Sequence, residues 1–460
     1  MKRYHHFLYR NKHRNAVCPR ILTFILAFII LLGIIPAGEV SAAATATAGD
    51  ASRVNGFPAI TAIVMDAESG QIIYEKNSHA RQYPASITKI LTAYLAIKNG
   101  DLNSTVTMSD AAVWNIDRNS SHIALDVGEQ ISLSDALYAV MLVSANEAAY
   151  AIAEHISGSL PNFVQLMNDT ASSLGCSDTH FTNANGLHDP EHYTTAYDMA
   201  LITKEALTSN TFREYASETY HEIPPTNMNS ETRYLTQGNR MMLSDSEYYY
   251  SACKGGKTGY TDDAGGTLVV WAEKNDMQLI CVTMGAPDNA TNYKDSIALF
   301  DYAFNNYSNT TLLSDFEFNA EDATKAQNFL NNYYNCENLG TMHLAIDNNQ
   351  PFLMANNADK EKLETIFTPS SDRLDEGYIG TLEVSYEGTV CLSLPVSYSG
   401  YVNSNDDVAV AEAHKNGTIR PALLKEKKSV MKYVIAVIVV LAIIALFVYA
   451  NVIEPRRRKR

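Results

Sequence analysis

Alternating apolar and polar residues mark the first regular element downstream of the N-terminal segment. Residues 59–75 (AITAIVMDAESGQIIYE) alternate in two short stretches, and Glu68-Ser69-Gly70 separates them. A period of two is typical of strands with one buried face, and the polar residues and glycine between the stretches indicate a turn. The pattern therefore predicts a β-hairpin.

Helical spacing replaces this alternation further along the chain. Apolar residues recur every three or four positions in several segments, which predicts helices. One predicted helix begins near Ser86, and the others span 133–142, 147–156, 161–174, 195–207 and 295–304. Two apolar runs at 265–272 and 278–284 predict strands. The order of strands, helices and strands predicts an α/β (α+β) domain over 55–308, with helices covering a sheet whose last strands return beside the first.

The composition changes after about residue 310. Residues 311–402 are rich in Asn, Tyr and Thr and carry short alternating runs, and the clearest pair flanks Glu387-Gly388. We interpret this region as a small all-β domain. Residues 403–432 are polar and rich in Ala and Lys, which is typical of a linker, so we interpret them as a stalk.

Two apolar runs predict how the chain is targeted. The run from Ile21 to Ile35 follows a basic segment and precedes small residues between Ser41 and Ala48. This layout predicts a secretory signal peptide over 1–44, and an uncleaved signal anchor is the alternative. The run 433–453 has no charge and is long enough to span a bilayer, and the basic tail at 454–460 follows it. We expect a single-pass cell-membrane protein whose region between the two runs faces outward.

Charge and cysteine usage exclude two classes of function. The 460 residues carry a formal net charge of −16, with Lys and Arg concentrated at the two ends of the chain. Nucleic-acid binding requires clustered basic residues, so the acidic middle argues against it. Cys and His do not cluster with the spacing of a metal site, and we expect neither a metal nor a cofactor.

Three short motifs carry candidate chemistry. Ser86-Ile87-Thr88-Lys89 places a serine three residues before a lysine, and a serine nucleophile needs such a neighbouring base. Alone this motif is weak, because Ser251-x-x-Lys254 and Ser429-x-x-Lys432 also match it. Ser144-Ala145-Asn146 lies between two predicted helices, where a helix N-cap is the alternative explanation.

The third motif is Lys257-Thr258-Gly259, which follows Gly255-Gly256 and precedes a predicted strand. Alone it is also consistent with an ordinary loop, with flexible glycines, that enters a strand. Ser144-x-Asn146 and Lys257-Thr258-Gly259 each occur once in the chain. All three motifs, in this order, are therefore difficult to attribute to coincidence.

In this combination the chain resembles penicillin-binding proteins and serine β-lactamases. It is most similar to the low-molecular-mass serine-type D-alanyl-D-alanine carboxypeptidases over about residues 55–305. The stretches that carry the resemblance are Pro84–Lys89, Val143–Ala149, Phe181–Leu187 and Gly256–Thr261. The resemblance implies a β-lactamase/transpeptidase-like domain with an antiparallel sheet, and binding of peptidoglycan stem peptides and of β-lactam antibiotics as inhibitors.

The resemblance also implies a role for each matching residue. Ser86 would be the nucleophile and Lys89 its general base, while Ser144 would relay a proton to the departing D-alanine. Asn146 would bind the substrate backbone, and Lys257 and Thr258 would bind its terminal carboxylate. Gly259 completes that motif. The backbone amides of Ser86 and Tyr260 would stabilise the oxyanion.

One departure from the family concerns the substrate carboxylate. Related enzymes often carry an arginine after the second strand that follows Lys-Thr-Gly, whereas this chain has Lys294 in that stretch. Lysine lacks the planar fork of arginine, so Lys294 would supply the charge but not the paired hydrogen bonds. We interpret His188, His192 and Asp198 as residues of loop packing and helix capping rather than of catalysis.

Three other functions remain open at this point. A β-lactamase would share the nucleophile, but no Glu-x-x-x-Asn stands in the stretch after Asn146. A non-catalytic β-lactam-binding protein or sensor could retain the fold. Cleavage of cross-links, as an endopeptidase, is compatible with the same motifs.

Overall fold

The structure is a computed structural model that describes residue 56 and residues 58–311, 316–334, 342–347 and 350–400. The predicted signal peptide, stalk, membrane-spanning run and basic tail lie outside these residues. In the ranges that are described, no helix is both long and apolar enough to cross a membrane.

Strands and helices are numbered here in chain order. The strands are β1 Thr61–Asp66, β2 Ile72–Lys76, β3 Thr105–Thr107, β4 Gln130–Ser132, β5 Tyr220–Ile223, β6 Arg233–Thr236, β7 Cys253–Thr261, β8 Gly265–Lys274, β9 Met277–Ala286, β10 Tyr307–Thr311, β11 Met342–Ala345, β12 Pro351–Ala355, β13 Leu363–Pro369, β14 Tyr378–Tyr386 and β15 Thr389–Gly400. The helices are α1 Lys89–Asn99, α2 Asp110–Trp114, α3 Leu133–Leu142, α4 Asn146–Ser157, α5 Leu160–Ser173, α6 Ala196–Ala206, α7 Asn210–Ser217, α8 Asn289–Asn306 and α9 Ala320–Tyr334.

A five-stranded antiparallel sheet forms the centre of the first domain. Its order is β2-β1-β9-β8-β7, so the last strands of the domain do return beside the first, as predicted. The hairpin predicted over 59–75 is confirmed as β1 and β2. The helices predicted from apolar spacing are confirmed as α1, α3, α4, α5, α6 and α8, with bounds shifted by a few residues.

Each face of this sheet packs against helices because strand residues alternate between the two faces. Ile63, Val269 and Ile280 belong to a large core shared with α1 and α3–α7. Their neighbours Val64 and Val270 belong to a second core, which α8 covers with Phe300. The sheet therefore lies between two helical layers, and β2 and β7 are its outer strands.

The glycines before Lys257 correct one expectation. Gly255 and Gly256 were expected in a flexible loop, but they lie within β7, together with Lys257. A Cβ atom at position 255 would lie 1.9 Å from the Trp271 ring on β8. The glycines therefore allow close packing of two strands, which a loop-like composition cannot reveal.

The second domain contains the sheet β11-β15-β14-β13 and the strand pair β10–β12. The predicted hairpin around Glu387-Gly388 is confirmed as β14 and β15. The prediction that this domain is all-β is wrong, because α9 packs Ala326 and Leu330 into its core. The domain also begins earlier than the predicted 311, since β10 starts at Tyr307 and pairs with β12.

One side chain of the first domain binds the backbone of the second. The Gln71 amide donates to the Leu353 carbonyl (2.9 Å) and accepts from the Leu353 amide (3.1 Å). This side chain is buried. Gln71 thereby satisfies both backbone polar groups of Leu353 in the middle of β12, as a neighbouring strand would.

Candidate active site

The turn that carries Ser86 brings it next to Lys89. Residues Ala85–Thr88 form a 3-10 turn, and α1 begins at Lys89 rather than at Ser86. Side chains three residues apart are eclipsed in 3-10 geometry. The Lys89 Nζ consequently lies 2.9 Å from the Ser86 Oγ.

The Lys89 amine is buried and has two further partners. It donates to the Asn146 Oδ1 at 2.6 Å and to the backbone carbonyl of Asn185. Burial, followed by the nearby charge of Lys257, holds the pKa of Lys89 well below its usual range, and Glu147 opposes this. A neutral amine has two hydrogens and one lone pair. The two carbonyl-type acceptors use the hydrogens, and the lone pair is left for the Ser86 hydroxyl.

The backbone between α3 and α4 presents Ser144 in an unusual conformation. Ser144 has a φ of 64°, in the left-handed region that non-glycine residues rarely adopt. Its hydroxyl oxygen is buried without a hydrogen-bond partner. Ala145, not Ser144 or Asn146, occupies the N-cap of α4 and makes no side-chain cap. The structure thus excludes a capping role and leaves the Ser144 hydroxyl available to a ligand.

Asn146 is held by a loop that none of the three motifs includes. Its Nδ2 donates to the Ser120 Oγ at 2.8 Å, and its backbone amide donates to the Ser121 carbonyl at 2.9 Å. The next residue, Glu147, is fully buried and accepts from the Ile123 amide at 2.7 Å. Because Ser120 binds the Nδ2, the Asn146 Oδ1 is directed to Lys89.

Lys257, Thr258 and Gly259 lie on β7, the strand at one edge of the central sheet. The buried Lys257 amine donates to the Thr258 carbonyl at 2.8 Å. Burial lowers the pKa of Lys257 to about 7. Because the outer edge of β7 pairs with no described strand, its backbone groups are available to an extended peptide.

Gly259 allows β7 to approach the nucleophile. A Cβ atom at this position would lie 2.4 Å from the Thr267 Oγ1 and 2.7 Å from the Ser86 backbone nitrogen. Only glycine fits without displacing one of these groups. Tyr260, whose amide is the second expected oxyanion donor, follows directly, and its side chain is exposed.

The other residues singled out from the sequence have structural contacts. His188 packs edge-on against Tyr83 and lies 3.5 Å from an Asp263 carboxylate oxygen. Asp198 lies in the first turn of α6, and its carboxylate accepts a hydrogen bond from the Thr179 hydroxyl. Lys294 is exposed on α8 and interacts with Asp288, and no described contact connects it to Thr258.

Sequence reasoning missed three groups that support the site: the Asn185 carbonyl, Ser120 and Glu147. Asn185 lies in one of the stretches that resemble the carboxypeptidases, so a signal existed for it. Glu147 lies in another such stretch, Val143–Ala149, although none of the motifs gives it a role. Ser120 had no signal, because it acts through a contact between segments distant in the chain. Among the described side chains, no group of three or more His, Cys, Asp or Glu residues is placed to hold a metal ion.

Comparison with curated proteins gives two informative relatives. The chain is 36% identical over 263 residues to the D-alanyl-D-alanine carboxypeptidase DacA of Haemophilus influenzae, covering 54% of this chain and 63% of that protein. It is 32% identical over 291 residues to DacF of Bacillus subtilis, another D-alanyl-D-alanine carboxypeptidase, covering 63% of this chain and 72% of that protein. The matched part thus spans less than two thirds of the first relative.

Comparison with solved structures agrees with the sequence match. Penicillin binding protein 5 from Haemophilus influenzae superimposes with a TM-score of 0.58 at 26% identity, covering 75% of this chain and 97% of that structure. The family model described as D-alanyl-D-alanine carboxypeptidase matches residues 47–288, which hold all three motifs. This chain therefore belongs to the D-alanyl-D-alanine carboxypeptidase family.

Proposed function

We propose that this chain is a serine-type D-alanyl-D-alanine carboxypeptidase that removes the terminal D-alanine from peptidoglycan stem pentapeptides. The observation that carries the proposal is the buried Lys89 amine, 2.9 Å from the Ser86 hydroxyl and bound to two acceptors. A desolvated neutral amine in this position is a suitable general base for a serine nucleophile.

In the acylation step, the Ser86 Oγ attacks the carbonyl between the two D-alanines while Lys89 takes its proton. The new negative charge forms on the carbonyl oxygen, which the amides of Ser86 and Tyr260 would bind. The close approach of Gly259 to the Ser86 nitrogen supports this arrangement. The bond from this carbonyl carbon to the departing nitrogen then breaks, leaving an acyl group on Ser86.

The leaving group needs a proton to depart as an amine. The Ser144 hydroxyl, buried without a partner, is suited to relay the proton that Lys89 took from Ser86 to the nitrogen of the departing D-alanine. The Lys257 amine and the Thr258 hydroxyl would bind the terminal carboxylate through a charge and a hydrogen bond. Water then attacks the acyl carbonyl, which regenerates Ser86 and releases the shortened peptide.

We place this activity outside the cytoplasm, at the cell membrane. The predicted signal peptide and the apolar run at 433–453 support this location, since stem peptides are displayed on the outer side of the membrane. Carbonate extraction of membranes tests the anchor. The full chain is expected in the pellet, and a chain ending at residue 432 in the supernatant. Recovery of both in the supernatant would refute the anchor.

The activity is tested by incubating the purified full-length chain with diacyl-L-Lys-D-Ala-D-Ala and measuring free D-alanine. We expect release by the unmodified chain and none above background by Ser86→Ala. A fluorescent penicillin should label the chain covalently and fail to label Ser86→Ala. Equal release by both proteins would refute the mechanism, and rapid turnover of penicillin without a long-lived acyl-enzyme would favour a β-lactamase.

A further inference from the structure

The peptide unit between Ala85 and Ser86 is held in a conformation that its sequence does not favour. Ala85 has a φ of 50°, in the left-handed region, and is buried immediately before the nucleophile. The left-handed conformation is unfavourable for alanine, because it brings the Cβ atom too close to the following carbonyl oxygen. Surrounding contacts must therefore impose it.

Those contacts form a chain of hydrogen bonds that ends on the Ala85 carbonyl. The Thr88 hydroxyl donates to this carbonyl at 2.9 Å. The His192 Nε2 lies 2.8 Å from the same hydroxyl oxygen. At its other end, the His192 ring accepts from the Thr182 backbone amide, which lies 3.0 Å from Nδ1.

The direction of each bond in this chain follows from the chemistry. A backbone amide only donates, so the His192 Nδ1 must be the acceptor, and a neutral ring then carries its proton on Nε2. The ring therefore donates to Thr88, whose own hydrogen is directed to the Ala85 carbonyl. His192 is buried, and its pKa is lowered to about 3, chiefly by burial, so the ring stays neutral at neutral pH.

Orientation of the Ala85 carbonyl determines the orientation of the Ser86 amide, because the two belong to one planar trans peptide unit and point in opposite directions. The Ala85 carbonyl points to the Thr88 hydroxyl and to Gly186. A Cβ atom added to Gly186 would lie 1.8 Å from the carbonyl oxygen. On the other side of the peptide unit, the Ser86 nitrogen faces Gly259 of β7. A Cβ atom added to Gly259 would lie 2.7 Å from this nitrogen.

We propose that His192 and Thr88 are positioning residues for the oxyanion-binding amide of Ser86. They act by fixing the peptide unit that precedes the nucleophile, and they touch neither substrate nor reacting atoms. The inference rests on the proposed acyl-transfer function. It assigns a role to His192, which the sequence alone placed in loop packing.

The test compares variants that remove or retain the donor at each position. Thr88→Val removes the hydroxyl with little change of shape, and Thr88→Ser retains it. His192→Leu removes the donor, whereas His192→Gln can retain one at the position of Nε2. Thr203→Val is the matched control, since the buried Thr203 hydroxyl donates to the Met199 carbonyl within α6, at 2.7 Å.

D-Alanine release by the full-length chain is the first measurement. We expect kcat to fall about 10- to 100-fold in Thr88→Val and His192→Leu with KM nearly unchanged, less than the roughly 10²–10³-fold for deleting a donor outright. Thr88→Ser and His192→Gln should recover most of the loss. The pH profile of kcat/KM should keep its limbs, because the ring is not the base.

Binding of a boronic acid analogue of the substrate distinguishes a positioning role from a general structural defect, because a structural defect would weaken binding of all ligands. Its tetrahedral adduct with Ser86 places an oxygen in the oxyanion site, whereas a non-cleavable peptide with a methylene group in place of the scissile carbonyl has no oxygen to place there. Thr88→Val should weaken binding of the boronate about tenfold or more and leave binding of the peptide unchanged. Thermal unfolding of each variant reports whether the protein has folded.

The outcomes separate this inference from the proposed function. If the unmodified chain releases no D-alanine, the proposed function fails. If it is active but Thr88→Val and His192→Leu behave as Thr203→Val does, the positioning role is wrong. Equal losses for boronate and peptide, or a shifted pH limb in His192→Gln, would also overturn it. If Thr88→Val does not fold, the kcat values of the other variants decide the question. His192→Leu should then show the loss, and Thr88→Ser and His192→Gln should retain most of the activity.

Discussion

The two domains of this protein bury different kinds of side chain. The first domain has fully or almost fully buried ionisable groups at several places in its interior: Lys89, Glu129, Glu147, His192, Asp198 and Lys257. Among the described residues of the second domain, the buried polar side chains are Asp322 and Ser385. Its core is otherwise made of apolar residues such as Leu382 and Val396.

The backbones differ in the same way. In the part of the second domain that the structure describes, the non-glycine residue with a positive φ is Glu387, in the hairpin turn where such a value is expected. In the first domain, Ala85 and Ser144 have positive φ next to or within the motifs. Strain and buried charge therefore occur together where Ser86, Lys89 and Ser144 lie. This is the region in which an active site departs from rules that favour stability.

The largest predicted effect separates catalysis from folding. Lys89→Ala removes the proposed base, and we expect D-alanine release to fall about 10³-fold or more. The unfolding of the second domain, followed by calorimetry, should not change. Lys98→Ala, at the exposed end of the same helix, is the control and should keep full activity. Substantial release by Lys89→Ala would mean that another group accepts the Ser86 proton.

The converse experiment destabilises the second domain alone. Leu382 is completely buried in its core, and Leu382→Ala should lower the free energy of unfolding of this domain by about 2–5 kcal/mol. Hydrolysis of a short peptide at a temperature where the domain remains folded should keep its kcat. The control is Val390→Ala, at an exposed position of the neighbouring strand. A fall in kcat for Leu382→Ala but not Val390→Ala would show that the domains are coupled.

A third prediction concerns the alkaline limb of the pH profile. Lysine is charged below its pKa, and burial lowers that of Lys257 to about 7. Above this pH the free enzyme loses the charge that attracts the carboxylate, so kcat/KM should fall about tenfold per pH unit. In Lys257→Arg the charge persists, and the limb should move to higher pH even if the maximum is lower. An identical limb in both proteins would assign it to another group.

The smallest predicted effect lies at the contact between the domains. Gln71→Ala leaves the buried amide and carbonyl of Leu353 without their side-chain partner, at a cost of about 1–3 kcal/mol. We expect a lower unfolding temperature and faster proteolysis between the domains, with unchanged kcat on a short peptide. Gln130→Ala, at an exposed position, is the control. No difference between the two variants would show that Gln71 does not stabilise the contact.

Elements with local signals were predicted well from the sequence. The period of apolar residues gives α3 its observed bounds of Leu133–Leu142, and the turn at Glu387-Gly388 locates the hairpin of β14 and β15. The strand β7 was missed because its glycines have a loop-like composition, whereas their role is to admit Trp271. The helix α9 was missed in a segment assigned to strands. Its apolar Ala326 and Leu330 are buried only by the surrounding sheet.

For the site itself, the sequence alone determined which side chains carry the proposed chemistry. Spacing alone pairs Ser86 with Lys89, since residues three apart are neighbours in a helical turn. The resemblance of the three motifs to those of the carboxypeptidases added Ser144 and Lys257. Only the tertiary structure decided how they are held: the Asn185 carbonyl on Lys89, Ser120 on Asn146, and His192 acting through Thr88 on Ala85. These contacts join segments far apart in the chain, and burial, which lowers the pKa of Lys89 and of Lys257, exists only once those segments have packed together.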